Sequence, residues 1–274
     1  MTAAACTGSG YEPQAEGDAP ARATGMLFVE RVEGGGSPGV QVGARFLRMV
    51  GVSDEALPDL VGTPVVPPAG RCVERGTAGD AAPDPLRAEV RLLDVGTIRV
   101  QAEGAQLSMA PRRFPDLWNV VSGVLYGAEA DLPLGTWRFT AQGAQGLGIG
   151  AFDISAQAPE TLAQVRVGEA SLPTTSNLAL TLGRRGVLPI RWLRAASDDR
   201  ISVVFEGNGM MACGARDEGS LDLDGAMAER AREIIGTGGT ISVHRMRSRP
   251  FTTQGLDAAT LVFDLSVRAR ARVE

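Results

Sequence analysis

The chain has no lysine: all 27 of its basic residues are arginine. A phosphate-binding loop with its lysine, a Schiff-base lysine and a serine–lysine hydrolase dyad are therefore excluded. Histidine is almost as scarce, since His244 is the only one among 274 residues. That scarcity excludes zinc, copper and non-haem iron sites built from several histidines. The sequence predicts no cofactor.

Aromatic residues and long apolar runs are also in short supply. Only 5% of the chain is aromatic, and no segment approaches the roughly 18 consecutive apolar residues of a membrane-spanning helix. Glycine (35) and proline (16) are plentiful, which favours short strands and turns over long helices. The net charge of −5 argues against a general nucleic-acid-binding protein, because phosphate contacts need a basic surface.

Three cysteines bear on the compartment. Cys6 follows three alanines and precedes a polar stretch rich in glycine, proline and acidic residues. This context resembles the lipobox of bacterial lipoproteins, although no charged and apolar leader precedes it. The resemblance implies lipidation of Cys6 and a flexible tether over residues 1–23; the alternative is a cysteine placed by chance in a disordered tail.

The other two cysteines, Cys72 and Cys213, make an even pair. Outside the cytoplasm they can form one disulfide, whereas in the cytosol they would remain buried thiols. We expect the disulfide and an extracytoplasmic location: the periplasm, the outer membrane or the cell surface.

The hydrophobic pattern predicts many short strands. They cover Met26–Val32, Val40–Val50, Glu89–Leu93, Thr97–Glu103, Thr136–Ala141, Ala151–Ala156, Asn177–Leu182, Val187–Leu193, Ile201–Glu206, Gly209–Ala215, Gly219–Leu223 and Thr240–Arg247, with a long final strand from Ala259. Asp94-Val95-Gly96 predicts a hairpin between the third and fourth of them. A helical turn is predicted over Ser53–Val61, and a long loop carrying Cys72 over Gly62–Pro85.

One helix is predicted near residues 225–235. Asp224 is its candidate cap, and Gly236 ends it. Met227, Ala231, Ile234 and Ile235 have the spacing of its buried face. Strands without alternating helices favour an all-β antiparallel sandwich. We divide the chain into the tether, an N-terminal β region over 24–130 and a sandwich over 131–274, with the last two free to pack as one unit.

Several short segments carry a resemblance. They are Leu93–Thr97, Leu134–Trp137, Gly150–Phe152, Leu188–Trp192, the strand around Cys213, and Gly255–Asp257. In order and spacing, the stretch from about Leu92 to Arg268 resembles a class of uncharacterised secreted or lipoprotein β-sandwich proteins of large-genome Gram-negative soil bacteria. The resemblance implies an immunoglobulin-like module in the cell envelope, and it carries over no functional residue.

Two groups of residues are candidates for chemistry. Asp222 and Asp224, with acidic neighbours at 217 and 218, offer oxygen ligands for Ca²⁺, although a solvated turn and a helix cap also account for them. His244 lies mid-strand and needs a nucleophile and an orienting carboxylate to act as a general base. No Gly-x-Ser-x-Gly motif supplies that nucleophile.

The final strand alternates most clearly. One side is apolar, and the other presents Ser266, Arg268, Arg270 and Arg272. This arginine stripe (Arg268, Arg270, Arg272) is a binding patch for an acidic protein, an anionic glycan or a lipid headgroup, or else it is a solvated face or protects an edge strand against aggregation.

The function that these patterns favour is a non-enzymatic, lipid-anchored or secreted binding or structural module of the cell envelope. The alternatives are a hydrolase with a carboxylate-based or His244-based site, and a calcium-dependent adhesin.

Overall fold

The computed structural model describes residues 21–34, 39–50, 66–75, 89–117, 121–144, 148–172, 180–183 and 186–274. Within these ranges the chain forms nineteen strands and one helix, which confirms the all-β prediction. Among the same residues, no helix has the length and hydrophobicity required to cross a membrane. The predicted lipidation site Cys6 and the helical turn over Ser53–Val61 lie outside the described residues.

Thirteen of the nineteen strands overlap predicted ones, and six were not predicted. The elements follow one another along the chain. They are β1 (Arg22–Glu33), β2 (Val40–Val50), β3 (Cys72–Arg75), β4 (Glu89–Leu92), β5 (Ile98–Ala102), β6 (Ala105–Met109), β7 (Arg112–Leu117), β8 (Val121–Ala130), β9 (Thr136–Ala141), β10 (Phe152–Gln157), β11 (Val165–Val167), β12 (Ala170–Leu172), β13 (Leu180–Leu182), β14 (Leu188–Arg191), β15 (Arg200–Glu206), β16 (Met210–Arg216), β17 (Ser220–Leu223), α1 (Gly225–Ile235), β18 (Gly239–Phe251) and β19 (Ala258–Val273). Strand β1 begins inside the predicted tether.

Eleven strands form one large sheet in the order β3-β16-β15-β18-β19-β1-β2-β4-β8-β7, with β13 paired to β19. The sheet is mixed, because β19 runs parallel to β1 and β13, and β4 runs parallel to β8. Strand β1 belongs to the predicted region 24–130 and β19 to the region 131–274. Both regions therefore contribute strands to a single sheet.

Two four-stranded sheets cover the inner face of this large sheet. One has the order β10-β9-β5-β6 and the other β12-β11-β14-β17. Trp137 and Phe139 of the first sheet are buried in a core with Phe46 and Phe263 of the large sheet. A second core lies between the other small sheet, helix α1 and strands β15, β16, β18 and β19.

Helix α1 confirms the predicted position and corrects its details. Asp224 occupies the cap position, but its side chain makes no capping hydrogen bond; its carbonyl accepts from the amides of Met227 and Ala228. Met227 is 43% exposed, and Ala228 takes its place on the buried face. The reason is angular: position 228 lies on the same stripe as 231 and 235, three and seven residues further on.

The hairpin predicted across Asp94-Val95-Gly96 is wrong. Strands β4 and β5 lie in different sheets, because the chain leaves the large sheet at this point. The turn is held as a corner: the Asp94 carboxylate accepts from the amide of Gly96 and from the hydroxyl of Tyr126, whose oxygen accepts from Val95 N–H. A turn does lie where the sequence predicts one, but it connects strands of two different sheets and not two neighbouring strands of one sheet.

The predicted bond between Cys72 and Cys213 is present, and it spans 141 residues. Cys72 does not lie in a loop, as predicted, but on β3, an edge strand of the large sheet. It pairs directly with Cys213 in the antiparallel register of β3 and β16. The strand was missed because four residues amid proline and glycine have no periodicity of their own; their partner strand makes them a strand.

Candidate functional site on the outer face of the large sheet

Alternation along β18 and β19 divides their side chains between two environments. Val243 and Val267 face the inner core and are 0% and 1% exposed. Ser242, His244 and Asp264 point the opposite way, onto the outer face. The antiparallel register pairs His244 with Ser266, which places Asp264 one diagonal step from the histidine. Two adjacent strands thus bring three polar side chains together.

These three residues form a continuous hydrogen-bonded cluster. The two carboxylate oxygens of Asp264 lie 2.8 and 3.0 Å from His244 Nδ1, and Ser242 Oγ lies 2.8 Å from His244 Nε2. The His244 side chain is 18% exposed and that of Asp264 10%, while Ser242 is 4% exposed. We call this the serine–histidine–aspartate cluster (Ser242, His244, Asp264). Both ring nitrogens of the histidine are occupied.

A second carboxylate adjoins the cluster. Glu30 of β1 is the register partner of Asp264 in the parallel pairing of β1 with β19. Burial, and then the charge of Asp264, raise the pKa of Glu30 above its ordinary value, against a lowering by His244 and Arg268. Both carboxylates line a cleft of about 220 Å³, whose walls include Met26, Phe28, Arg45 and Val262.

The arginine stripe continues from the cluster along the same face of β19. Arg268, Arg270 and Arg272 are all exposed, as the period of two predicts. Arg268 is the register partner of Ser242 and forms an ion pair with Glu206 of β15. Among the described residues, Arg270 and Arg272 have no hydrogen-bond or ion-pair partner, and both side chains are exposed.

Two of the four acidic residues considered for calcium are held by other partners. Asp222 pairs with Arg191 on the neighbouring strand, and Asp217 accepts from the indole N–H of Trp192. Across the described ranges, no three histidine, cysteine, aspartate or glutamate side chains are grouped as a metal site would need.

A polar cleft of about 430 Å³ bears on the carboxylate-based alternative. Asp199 and Asp217 line it and are almost fully buried. Each is paired with an arginine of β18: Asp199 with Arg247, and Asp217 with Arg245. Both of these buried carboxylates are therefore engaged as ion-pair partners of β18 and are not free to act as an acid and base couple.

Comparison of the chain with known protein families, with curated proteins and with solved structures finds no match. The geometry of the outer face therefore carries the functional argument alone.

Sequence reasoning found part of this face. It singled out His244 and the arginine stripe but missed Ser242, Asp264 and Glu30. Ser242 could have been found, because it shares a face with His244 at a spacing of two. Asp264 required the β18–β19 register, and Glu30 required a parallel pairing between the two ends of the chain, which no local pattern announces.

Proposed function

We propose that this protein is an exported, non-enzymatic module of the cell envelope that binds an anionic partner along the outer face of β19. The observation that carries the proposal is the pair of exposed cations Arg270 and Arg272 beside Arg268, neither of which has a partner among the described residues. Their guanidinium groups present planar donors suited to phosphate and carboxylate groups. The chain is acidic overall, so we expect binding to be local and salt-sensitive.

The disulfide supports the export part of the proposal. Disulfides persist in oxidising compartments and are rare in the cytosol, where thiols are kept reduced. The bond between Cys72 and Cys213 links β3, a four-residue edge strand of the large sheet, covalently to its neighbour β16. The lipid anchor at Cys6 stays part of the proposal, on the strength of the sequence around it.

The immunoglobulin-like architecture belongs to the same proposal. Antiparallel strands that pack face to face over an apolar layer support it. The parallel pairings of β19 and the eleven-stranded sheet go beyond the seven to nine strands of an immunoglobulin domain.

Binding is tested with two anionic probes. Vesicles containing phosphatidylglycerol and a soluble sulfated glycan are compared with phosphatidylcholine vesicles, at low and at high salt. Arg270→Gln with Arg272→Gln should weaken binding to an anionic membrane about 30-fold, at roughly 1 kcal/mol for each arginine. Arg249→Gln, an exposed arginine on the inner side of β18, is the matched control. Equal binding by the double variant and the control would refute the stripe as the binding surface.

Export is tested separately in cells. Incorporation of labelled palmitate at Cys6, and resistance of Cys72 and Cys213 to a thiol reagent in the native protein, are the expected results. Free reaction of both thiols together with no palmitate would overturn the envelope location.

A further inference from the structure

The serine–histidine–aspartate cluster has the connectivity of a nucleophilic catalytic site. A carboxylate contacts one ring nitrogen of His244, and a serine hydroxyl contacts the other. Such sites are recognised by geometry and roles, because the same arrangement recurs on unrelated folds with different chain orders. The sequence lacked a nucleophile for His244; the sheet supplies one two residues away on the same strand.

The contacts define the direction of proton transfer. The Asp264 carboxylate accepts from Nδ1–H of His244, and in the neutral form of the ring the lone pair of Nε2 then accepts from the hydroxyl of Ser242. Ser242 is therefore the proton donor of the cluster, and His244 is poised as its base.

A donor for a developing oxyanion has to be a side chain here. The backbone of β18 is paired with β15 on one side and β19 on the other, so its amides are committed to the sheet. Arg268 is the register partner of Ser242 on the same face. Its contact with Glu206 involves one terminal nitrogen, which leaves other guanidinium N–H groups able to donate.

We propose that Ser242, His244 and Asp264 hydrolyse a carboxylic ester that carries an anionic group. Arg268 faces the reacting carbonyl, and Arg270, two residues further along β19, lies about 7 Å away along the strand to hold the anionic group. This catalytic activity goes beyond the proposed binding function. With it, the protein would be an enzyme that acts on the anionic partner and not a non-enzymatic module.

The reaction balances without any further reagent. Ser242 Oγ adds to the ester carbonyl as its proton passes to His244 Nε2, and the C–O bond to the alcohol breaks as that proton passes to the leaving oxygen. Water then adds to the acyl-serine, giving a proton to Nε2. The serine oxygen leaves and recovers that proton, which releases a carboxylic acid. Asp264 is a positioning residue, because it acts through the histidine.

Burial defines how the reaction must be observed. Ser242 is 4% exposed, and the adjoining cleft is lined by Asp264 and Glu30 but not by the serine. We therefore expect slow turnover of small esters, and covalent capture is the more sensitive measurement. A fluorophosphonate probe incubated with the wild-type protein should label Ser242. Mass spectrometry of the labelled peptides identifies the modified residue.

Kinetics provide the second measurement, with 4-nitrophenyl acetate and an analogous 4-nitrophenyl ester that ends in a carboxylate. Ser242→Ala should lower hydrolysis about a hundredfold or more, and Arg268→Gln by about a hundredfold. Ser266→Ala, the equally buried serine opposite His244, is the matched control and should retain full activity. Asp264→Asn should also change the pH profile of the rate, which a purely structural role would not do.

The outcomes separate this proposal from the binding function. No label on Ser242 of the wild-type protein, with hydrolysis equal in Ser242→Ala and Ser266→Ala, would overturn the catalytic site, whatever the vesicle and glycan experiments show. The labelling result needs no variant, so it stands even where a substitution prevents folding.

Discussion

At the residue scale, two arginines on the inner side of β18, Arg245 and Arg247, form ion pairs with buried aspartates. Arg245 is 1% exposed and binds Asp217 together with the carbonyls of Glu160, Thr161 and Leu193. These contacts lie where the chain passes from one small sheet to the other. A buried charge is tolerated there because its donors are matched by a carboxylate and by carbonyls.

Asp217→Asn should destabilise the protein by about 3–5 kcal/mol, because it leaves the Arg245 charge buried without its counter-ion. Urea unfolding at neutral pH measures the loss. The matched control is Asp222→Asn, which removes an exposed partner of Arg191 and should cost no more than about 1 kcal/mol. A loss for Asp217→Asn as small as that of the control would contradict the buried-pair interpretation.

The raised pKa of Glu30 predicts how the stability of the protein depends on pH. The pKa of Glu30 is raised above 4.5 in the folded protein, so the folded state holds this proton more tightly than the unfolded chain does. Its contribution to stability is fully present below the unfolded pKa and is lost as pH rises through the folded pKa. Glu30→Gln should therefore raise the melting temperature at neutral pH, and this gain should vanish in acid. A gain that stays constant across that pH range would exclude the titration of Glu30 as its source.

At the scale of elements, local periodicity located thirteen of the nineteen strands and missed the others, which are β3, β6, β7, β8, β11 and β12. It also did not show which strands are neighbours. Thr136–Ala141 was predicted with its exact bounds, because Trp137 and Phe139 alternate with polar residues. Strand β5 was given the wrong partner, since its true hairpin with β6 turns at Glu103 and Gly104. Both residues have positive φ, and a glutamate in that role is not a recognisable turn signal.

Strand β8 depends on a close approach at Gly123. This residue has a φ of 124°, and a Cβ there would overlap the carbonyl of Leu92 on β4. Gly123→Ala should cost about 1–3 kcal/mol from backbone strain, plus the displacement of β4. Gly127→Ala, on the same strand with no atom closer than 4.0 Å to the added carbon, is the control and should be nearly neutral. Equal melting temperatures for the two variants would refute the role of the close approach.

At the scale of the whole molecule, one large sheet supports two separate cores on its inner face and a smaller apolar cluster on its outer face. The sequence pattern predicted the all-β class and the final strand correctly, because each depends on alternation within a segment. It did not predict a shared sheet, since that depends on pairing between β1 and β19. Where the two strands begin, the amide of Ala23 donates to the carboxylate of Asp257, just before β19 and 234 residues away. The serine–histidine–aspartate cluster was hidden for the same reason: its members share a sheet face and not a motif.

The disulfide contributes at this scale because it closes a long loop of the unfolded chain. Cys72→Ala with Cys213→Ala should lower the free energy of unfolding by about 2–5 kcal/mol, within the roughly 5 kcal/mol of the chain-entropy estimate. Guanidinium unfolding of the oxidised protein and of the double variant measures the difference. Reductant should bring the wild-type protein to the level of the variant, and no effect of reductant would contradict the role of the bond.

The parallel pairing of β1 with β19 also restricts when folding can finish. Leu27 lies beside Leu261, so the first described strand cannot be enclosed on that side until the last one has been made. Such non-local closure slows folding, and it leaves a growing chain without the centre of its largest sheet during synthesis. Because β19 lies between β18 and β1, the two halves of the large sheet are joined only once this last described strand has been made.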